Sequence, residues 1–191
     1  MKTAAIIVTR GNVGLTPVLE SLPADWQQIV WDNSQREDLS VYGRYAAIEN
    51  TDADRIYVQD DDCILPPESF HGLLAAWQPG HVIANMPARF REHYSDSCLV
   101  GFGAMFERDL PARAFGKFTL GYGIDRMLSA VDVFFQRTCD VVFTTLTPRL
   151  LVDVPYTDRE FASDPDRMWK QPSHFLERRQ MLELARQVRD A

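Results

Sequence analysis

Three consecutive aspartates, Asp60, Asp61 and Asp62, lie one residue after the apolar run Ile56–Val58. Such a run indicates a buried strand, whereas adjacent carboxylates repel one another and cannot be buried without partners. Carboxylate oxygens at the carboxyl end of a strand suit Mg²⁺ or Mn²⁺ that carries a substrate's phosphates. A solvated acidic turn before the next helix is the alternative interpretation. We favour the metal site, because ligands of open α/β sheets bind beyond the carboxyl ends of the strands.

Strands and helices alternate over the residues that precede and include this strand. Two earlier strands are predicted over Ala4–Val8 and Gln28–Trp31, each followed by polar residues. Helices are predicted over Leu15–Leu22, with Thr16 as the N-cap, and over Val41–Asn50. This order predicts a Rossmann-like nucleotide-binding half in an α/β fold, with a mixed, mostly parallel sheet flanked by helices.

The rest of the chain continues the α/β pattern with less regularity. The predicted elements are a helix over Glu68–Trp77, strands over Val82–Asn85 and Val141–Leu146, a loop over Phe90–Asp96, an apolar wall or core strand over Cys98–Phe106, a mostly helical stretch over Ile124–Arg137 and an amphipathic helix over Ser173–Arg189. We expect a single domain, residues 1–191, with a nucleotide-binding half (1–65), an acceptor half (66–150) and a C-terminal lid and helix (151–191).

Composition excludes several classes of protein. The net charge of −7 over 191 residues argues against broad nucleic-acid binding. The three scattered cysteines show neither metal-ligand spacing nor a disulfide framework. The start of the chain turns polar too soon for a signal peptide, and no apolar run reaches membrane-span length. We therefore expect a cytoplasmic protein, in a bacterium or a phage-infected cell. P-loop, dinucleotide-fold glycine and nucleophile-elbow motifs are all missing from the sequence.

The aspartate strand and the helix before it resemble a known family. Residues 42–50 (YGRYAAIEN) and 54–62 (DRIYVQDDD) look like the core of the GT-A glycosyltransferases, in which a helix with a small-residue face precedes a strand that ends in a DxD-type motif. The triple-aspartate form is similar to the exostosin-like branch and to small phage and bacterial enzymes of that fold. Thr9-Arg10 after the first strand and Asp32-Asn33-Ser34 after the second make the resemblance more specific.

The resemblance implies a role for each of these positions. Thr9 and Arg10 would lie along the nucleotide, and Asp32, Asn33 and Ser34 would contact its base. Arg44 would face the diphosphate or the sugar, and Asp60 would contact ribose or the donor sugar. Asp62 would bind the metal directly, with Asp61 assisting. From the residues alone, a plain turn at 32–34 and a solvated helix position for Arg44 are the alternatives.

A general base and a further metal ligand are expected in the second half. An inverting enzyme needs a base at the acceptor hydroxyl, and we select Asp132, a lone acid in an apolar stretch where burial should raise its pKa. Asp125 is the second candidate; an N-cap or an ion pair is the alternative for both. His174 would complete the metal shell, as a histidine near the C-terminus does in some GT-A enzymes. Its alternative is an ordinary surface histidine.

These observations predict a metal-dependent hexosyltransferase that uses Mn²⁺ or Mg²⁺. The donor would be a nucleotide sugar, with a UDP-sugar favoured. The hydroxyl acceptor stays open among a glycan, a small metabolite and a hydroxylated base in phage DNA. A Mg²⁺-dependent nucleotidyltransferase and a non-catalytic nucleotide-sugar-binding domain are the competing interpretations. No membrane partner is expected.

Overall fold

The computed structural model describes residues 1–92, 94–122, 132–159, 164–165 and 167–191. Its strands are β1 (Thr3–Thr9), β2 (Gln27–Asp32), β3 (Arg55–Asp60), β4 (Cys63–Ile64), β5 (Val82–Asn85), β6 (Ala104–Glu107), β7 (Arg149–Val152) and β8 (Thr157–Asp158). Its helices are α1 (Thr16–Ser21), α2 (Gly43–Ala46), α3 (Pro67–Ala75), α4 (Ala88–Arg91), α5 (Leu110–Tyr122), α6 (Val133–Leu146) and α7 (His174–Asp190).

A six-stranded sheet in the order β2-β1-β3-β6-β5-β7 forms the centre of the fold. The pairs β1–β2, β1–β3 and β5–β7 are parallel, and β6 runs antiparallel to both of its neighbours. The short strands β4 and β8 pair separately. The predicted α/β, Rossmann-like architecture with a mixed, mostly parallel sheet is therefore confirmed.

Helices cover both faces of this sheet. All seven residues of β1 are buried, which explains its continuous apolar sequence. Because side chains alternate along a strand, Ala4 and Ile6 enter one core and Ala5 and Ile7 the other. The first core is completed by residues of α5, α6 and α7, and the second by residues of α1 and α3.

The predicted late strand Val141–Leu146 is wrong, because this segment is the second half of α6. Ten residues of α6 are buried, from Phe135 to Thr145, so the helix shows no polar face that would reveal its period. Its β-branched and aromatic residues then favoured a strand. The actual strand, β7, begins three residues after the helix ends.

Other predicted bounds also change. Thr16 does not cap α1, since Leu15 holds the N-cap position without a side-chain hydrogen bond. The segment predicted as one helix over Val41–Asn50 is α2 between two 3₁₀ turns. Only the end of the apolar stretch Cys98–Phe106 is strand, and α4 overlaps the predicted loop Phe90–Asp96. Most of the helical stretch predicted over Ile124–Arg137 lies outside the described residues.

The amphipathic C-terminal helix is confirmed as α7. It buries Met181, Ala185 and Val188 in the same core as α6, and keeps a charged outer side. None of the described helices is long and apolar enough to cross a bilayer.

Candidate functional site

A cleft of about 1490 Å³ lies at the carboxyl ends of the three parallel strands β1, β2 and β3. Thr9, Asn33 and the aspartates Asp60–Asp62 reach it from the three strand ends. Because β6 is antiparallel to β3 and Ala104 pairs with Val58, the segment that leads into β6 reaches the same edge. The opposite wall comes from α6 and from the segment that leads into α7, and its charged or polar members include Gln136, Arg137, Asp140, Lys170, His174, Arg178 and Arg179.

The cleft carries positive charge although the chain is acidic. Among the described residues that line it, nine are Arg or Lys and six are Asp, whereas the whole chain has a net charge of −7. The basic residues are Arg10, Arg44, Arg89, Arg137, Arg159, Arg167, Lys170, Arg178 and Arg179. A concave surface of this kind attracts anionic ligands.

Arg44 is the buried centre of the cleft floor. Its side chain is only 1% exposed and lies between two carboxylates. Nη2 donates to Oδ1 of Asp60 at 2.5 Å, and Nη1 donates to Oδ2 of Asp140 at 3.1 Å. The hydroxyl of Tyr45 donates to the other oxygen of Asp140 at 2.6 Å. Arg44 is therefore neither a solvated helix residue nor an open diphosphate ligand, and Asp140 is a site residue that the sequence prediction missed.

Asp60 presents its second carboxylate oxygen beside Gly101. Its backbone N–H donates to the Gly101 carbonyl at 2.9 Å, and a Cβ at Gly101 would lie 2.1 Å from Oδ2 of Asp60. Glycine is needed here because the backbone comes this close to the carboxylate. Burial raises the pKa of Asp60 to about 7, with Arg44 opposing the shift and the carboxylates of Asp62 and Asp140 adding to it.

Asp61 is held inside the protein. The Thr9 hydroxyl donates to its Oδ2 at 2.7 Å, and Arg167 donates to its Oδ1 at 2.7 Å. The Asp61 carbonyl accepts a further hydrogen bond from Arg159. Both carboxylate oxygens and the Thr9 hydroxyl are thus already engaged within the protein. The assisting role of Asp61 at the metal and the place of Thr9 along the nucleotide stay predictions.

Asp62 faces the cleft more openly than its neighbour. Its side chain is 21% exposed, and one of its oxygens lies 3.8 Å from Arg167 Nη1. Burial raises the pKa of Asp62, and Arg167 opposes that shift. Among the described residues, no group of three or more His, Cys, Asp or Glu side chains is arranged to hold a metal ion. Asp60 and Asp62 still fit Mg²⁺ or Mn²⁺ in the mode in which carboxylates contribute only part of the shell and substrate phosphates and water the remainder.

The residues predicted to contact the base form a turn. The Oδ1 atom of Asp32 accepts from the Ser34 N–H at 2.8 Å and from its hydroxyl at 2.7 Å, and neither residue is among the described residues that line the cleft. Asn33 does line it, but its side chain joins Trp31, Leu39 and Ser40 in the same loop. The turn interpretation therefore describes Asp32, Asn33 and Ser34 better than the base-binding one.

Asp132 is the N-cap of α6. Its Oδ1 accepts from the N–H groups of Phe134 and Phe135 at 2.8 and 3.4 Å. Asp132 is not itself among the described residues that line the cleft, although Gln136 and Asp140, four and eight residues later on the same helix, do line it. Its role as a base stays a prediction. Asp125 lies outside the described residues.

His174 lies among cations and not in a ligand set with Asp62. It is 7% exposed, lines the cleft, and its ring makes no hydrogen bond to another described residue. Burial, together with the neighbouring charges of Arg178 and Arg137, lowers the pKa of His174 to about 4, while Glu177 and Asp140 oppose the shift. The imidazole is therefore neutral at pH 7. The nearby positive charges disfavour the predicted metal contact.

An aromatic surface forms the wall that follows β5. Phe90 stacks on Phe102 with ring centroids 5.5 Å apart, and Phe102 contacts Tyr156 at 4.9 Å. The Arg89 guanidinium lies over the Phe90 ring at 4.8 Å. Nothing in the linear sequence brings Tyr156 to this wall, since it follows Phe102 by more than fifty residues.

The predicted nucleotide residue Arg10 lines the cleft and forms an ion pair with Asp164 at 3.6 Å. The sequence analysis did not select Arg167, which lines the cleft and donates to Asp61, and no sequence signal identifies it. Asp140 offered a signal, because it is a lone acid in the apolar run Cys139–Phe143. That signal is the same one that selected Asp132.

Comparison with known proteins leaves the family open. No family model matches the chain, and no curated protein matches it. Among solved structures, the crystal structure of A197 from STIV is similar, with 16% identity, a TM-score of 0.46, and coverage of 80% of this chain and 82% of that chain. At this degree of similarity it supports no conclusion about function, which must come from the site itself.

Replacing Arg44 by Met should destabilise the protein by about 3–5 kcal/mol, because it leaves the buried carboxylate of Asp140 and the partly buried carboxylate of Asp60 without their cation. Urea denaturation measures this loss. Arg113→Met is the matched control, since Arg113 is 60% exposed in a surface pair with Asp109, and it should change stability by less than about 0.5 kcal/mol. A loss below about 1 kcal/mol for Arg44→Met would contradict the buried pairing.

Acid should weaken the fold through His174. Below its ordinary pKa of 6.5 the unfolded chain binds a proton that the folded protein, with a pKa of about 4, does not. This contribution to stability is complete above pH 6.5 and is lost as the pH falls toward 4. The His174→Gln variant should therefore lose about 2 kcal/mol less than the parent between pH 7 and pH 5. Urea titrations in phosphate-free buffers measure the difference; parallel pH profiles would contradict it.

Proposed function

We propose that the protein is a GT-A-type glycosyltransferase that moves a sugar from a nucleoside diphosphate sugar to a hydroxyl acceptor, with a UDP-sugar as the favoured donor. One observation carries the proposal: Asp60 and Asp62 stand at the carboxyl end of β3 in a cleft whose lining is otherwise rich in arginine. A diphosphate ester is the common ligand that needs both features, because cations and a carboxylate-bound metal ion neutralise it together.

Asp60 and Asp62 would hold the divalent ion. A bound Mg²⁺ or Mn²⁺ supplies Lewis-acid stabilisation of the negative charge that develops on the leaving diphosphate. Arg44 holds one oxygen of Asp60 at 2.5 Å, which leaves Oδ2 for the cleft. Lys170 and Arg10 line the cleft as well and add positive charge for the diphosphate.

Asp132 is the proposed base for the acceptor hydroxyl. Its Oδ1 is engaged by the first N–H groups of α6, so Oδ2 is the atom that would take the proton. Gln136 and Asp140, on the helix that Asp132 caps, line the cleft. Asp125 is kept as the second candidate.

The two competing interpretations lack a specific observation in their favour. A nucleotidyltransferase would use a glycine-rich loop after β1 to hold phosphate. Here the Gly11 N–H already donates to Thr9, and the Gly14 carbonyl accepts from Arg159. A non-catalytic domain has no evident use for the acid of Asp62 in the cleft. Product analysis separates the three, since a nucleotidyltransferase releases pyrophosphate, a glycosyltransferase a nucleoside diphosphate, and a binding domain neither.

The isosteric change Asp62→Asn should weaken Mn²⁺-dependent binding of the donor at least about tenfold, since it removes one ligand charge from the ion. A thermal-shift panel of UDP, GDP, CDP and TDP sugars, with and without Mn²⁺, identifies the donor, and calorimetry measures its affinity. Asp109→Asn, at a carboxylate that is 67% exposed directly before α5, is the matched control. An unchanged donor affinity in Asp62→Asn would contradict the proposed metal site. If no nucleotide raises the unfolding temperature of the parent protein, the proposed function is wrong.

The change Asp132→Asn should slow transfer by about 10²–10⁴-fold and leave donor binding intact, because asparagine caps a helix as well as aspartate but cannot accept the proton. The rate of nucleoside diphosphate release from the donor identified above measures the effect. Full activity in this variant would exclude Asp132 as the base.

A further inference from the structure

The cleft is larger than one donor requires. Its volume of about 1490 Å³ exceeds the roughly 300–1,000 Å³ of most ligand pockets. The strand order divides it, because β1 and β2 lie on one side of β3 while β6 and β5 lie on the other. The loops after β1 and β2 bound the nucleotide side. The connection between β5 and β6, residues 86–103, bounds the second side together with α6 and α7.

Two arginines on this second side keep donor capacity for a ligand. Arg178 lies over the Tyr94 ring at 5.6 Å, and its buried Nη2 has no hydrogen-bond partner among the described residues. Arg137 is near the Glu177 carboxylate, at 3.3 Å from Nε, and its Nη2 reaches the Ser173 hydroxyl only at 3.4 Å. A buried guanidinium nitrogen without an acceptor is costly, and an incoming oxyanion would satisfy it.

His174 lies beside these arginines with its ring available. It is more than nine-tenths buried, it lines the cleft, and no described residue accepts from or donates to its imidazole. It is also the first residue of the seventeen-residue helix α7, whose N-cap residue Ser173 makes no side-chain capping bond. The amino end of a helix favours negative charge. Burial is the main cause of the lowered pKa of His174, and the charges of Arg178 and Arg137, which add to it, agree with this placement.

We propose that His174, Arg137 and Arg178 form a binding subsite for a phosphate group carried by the acceptor. The acceptor would then be a phosphate monoester that also bears the reacting hydroxyl, and its apolar or ring portion would lie against the stacked rings of Phe90 and Phe102. The identification of this ligand as the acceptor rests on the proposed function. Phosphate binding at the subsite does not depend on it.

We assign the diphosphate of the donor to the aspartate side of the cleft and not to this subsite. The cations next to the aspartates differ from Arg178 in their bonding. Arg44 is held by Asp60 and Asp140, Arg167 by Asp61, and Arg159 by the carbonyls of Asp61 and Gly14. These side chains shape the floor under the proposed metal position. Arg178, by contrast, packs on Tyr94 in the connection on the far side of β3. A second anionic group, in addition to the donor's diphosphate, is therefore needed to bind Arg178.

Phosphate titration followed by NMR tests the subsite. Inorganic phosphate is added to the whole protein, first alone and then with saturating nucleoside diphosphate and Mg²⁺, while the imidazole C–H resonances of His174 are recorded. Those resonances are assigned by their loss in His174→Gln. We expect saturable shifts in both titrations. Arg178→Gln should weaken phosphate binding at least about tenfold and leave nucleoside diphosphate affinity unchanged. Arg113→Gln, at an exposed surface pair on α5, should alter neither affinity.

The outcomes separate this inference from the proposed function. Competition between phosphate and nucleoside diphosphate for His174 would assign the subsite to the donor and overturn the inference. No phosphate-dependent shift in the folded parent protein would also overturn it. If phosphate binds and no nucleotide does, the subsite stands and the proposed function fails. Arg178→Lys, which keeps the charge but loses the forked donor, should bind phosphate with intermediate strength and guards against a folding defect in Arg178→Gln.

Discussion

A single buried cation ties the two halves of this protein together. Arg44 follows β2 in the chain, and its two partners come from the end of β3 and from the middle of α6. Taking the Arg44 guanidinium and the Asp140 carboxylate out of water is expensive, and their contacts with each other, with Asp60 and with Tyr45 compensate for it. The position of α6 relative to the sheet is therefore fixed by charge as well as by packing. The shape of the cleft between them depends on that position.

The three aspartates illustrate how neighbours of the same type acquire different roles. Asp61 is 2% exposed and bound by Thr9 and Arg167, which makes it part of the scaffold. Asp60, whose side chain is 35% exposed, shares one oxygen with Arg44, and the side chain of Asp62 is 21% exposed. The two acids that remain for a ligand are separated by one residue, which is the spacing of a DxD-type motif. The middle acid is thus held between Thr9 and Arg167, while the acids on either side of it reach the cleft.

The sequence predicts those elements whose apolar run ends abruptly in polar residues. β1, β2, β3 and β5 were predicted within two residues of their ends for this reason, and α7 because its charged face shows the helical period. α6 was mistaken for a strand in its second half since it is buried on nearly every side. That error also concealed Asp140. The pairing of Arg44 with Asp140 spans 96 residues, and no local pattern encodes it. Arg178 is local to His174, four residues later on α7, whereas Arg137 reaches it from the separate helix α6 and was not anticipated.

The distribution of charge has a consequence for the approach of ligands. Nine basic and six acidic residues line the cleft, which leaves eleven basic and twenty-one acidic residues elsewhere, or about ten net negative charges on the rest of the chain. An anion in solution is thus repelled by the net charge of the rest of the chain and attracted at the cleft. The electrostatic field of the protein therefore favours those encounters in which the anion approaches the cleft. Added salt screens exposed charges beyond roughly 8–10 Å, so it weakens this steering before it weakens any contact inside the cleft.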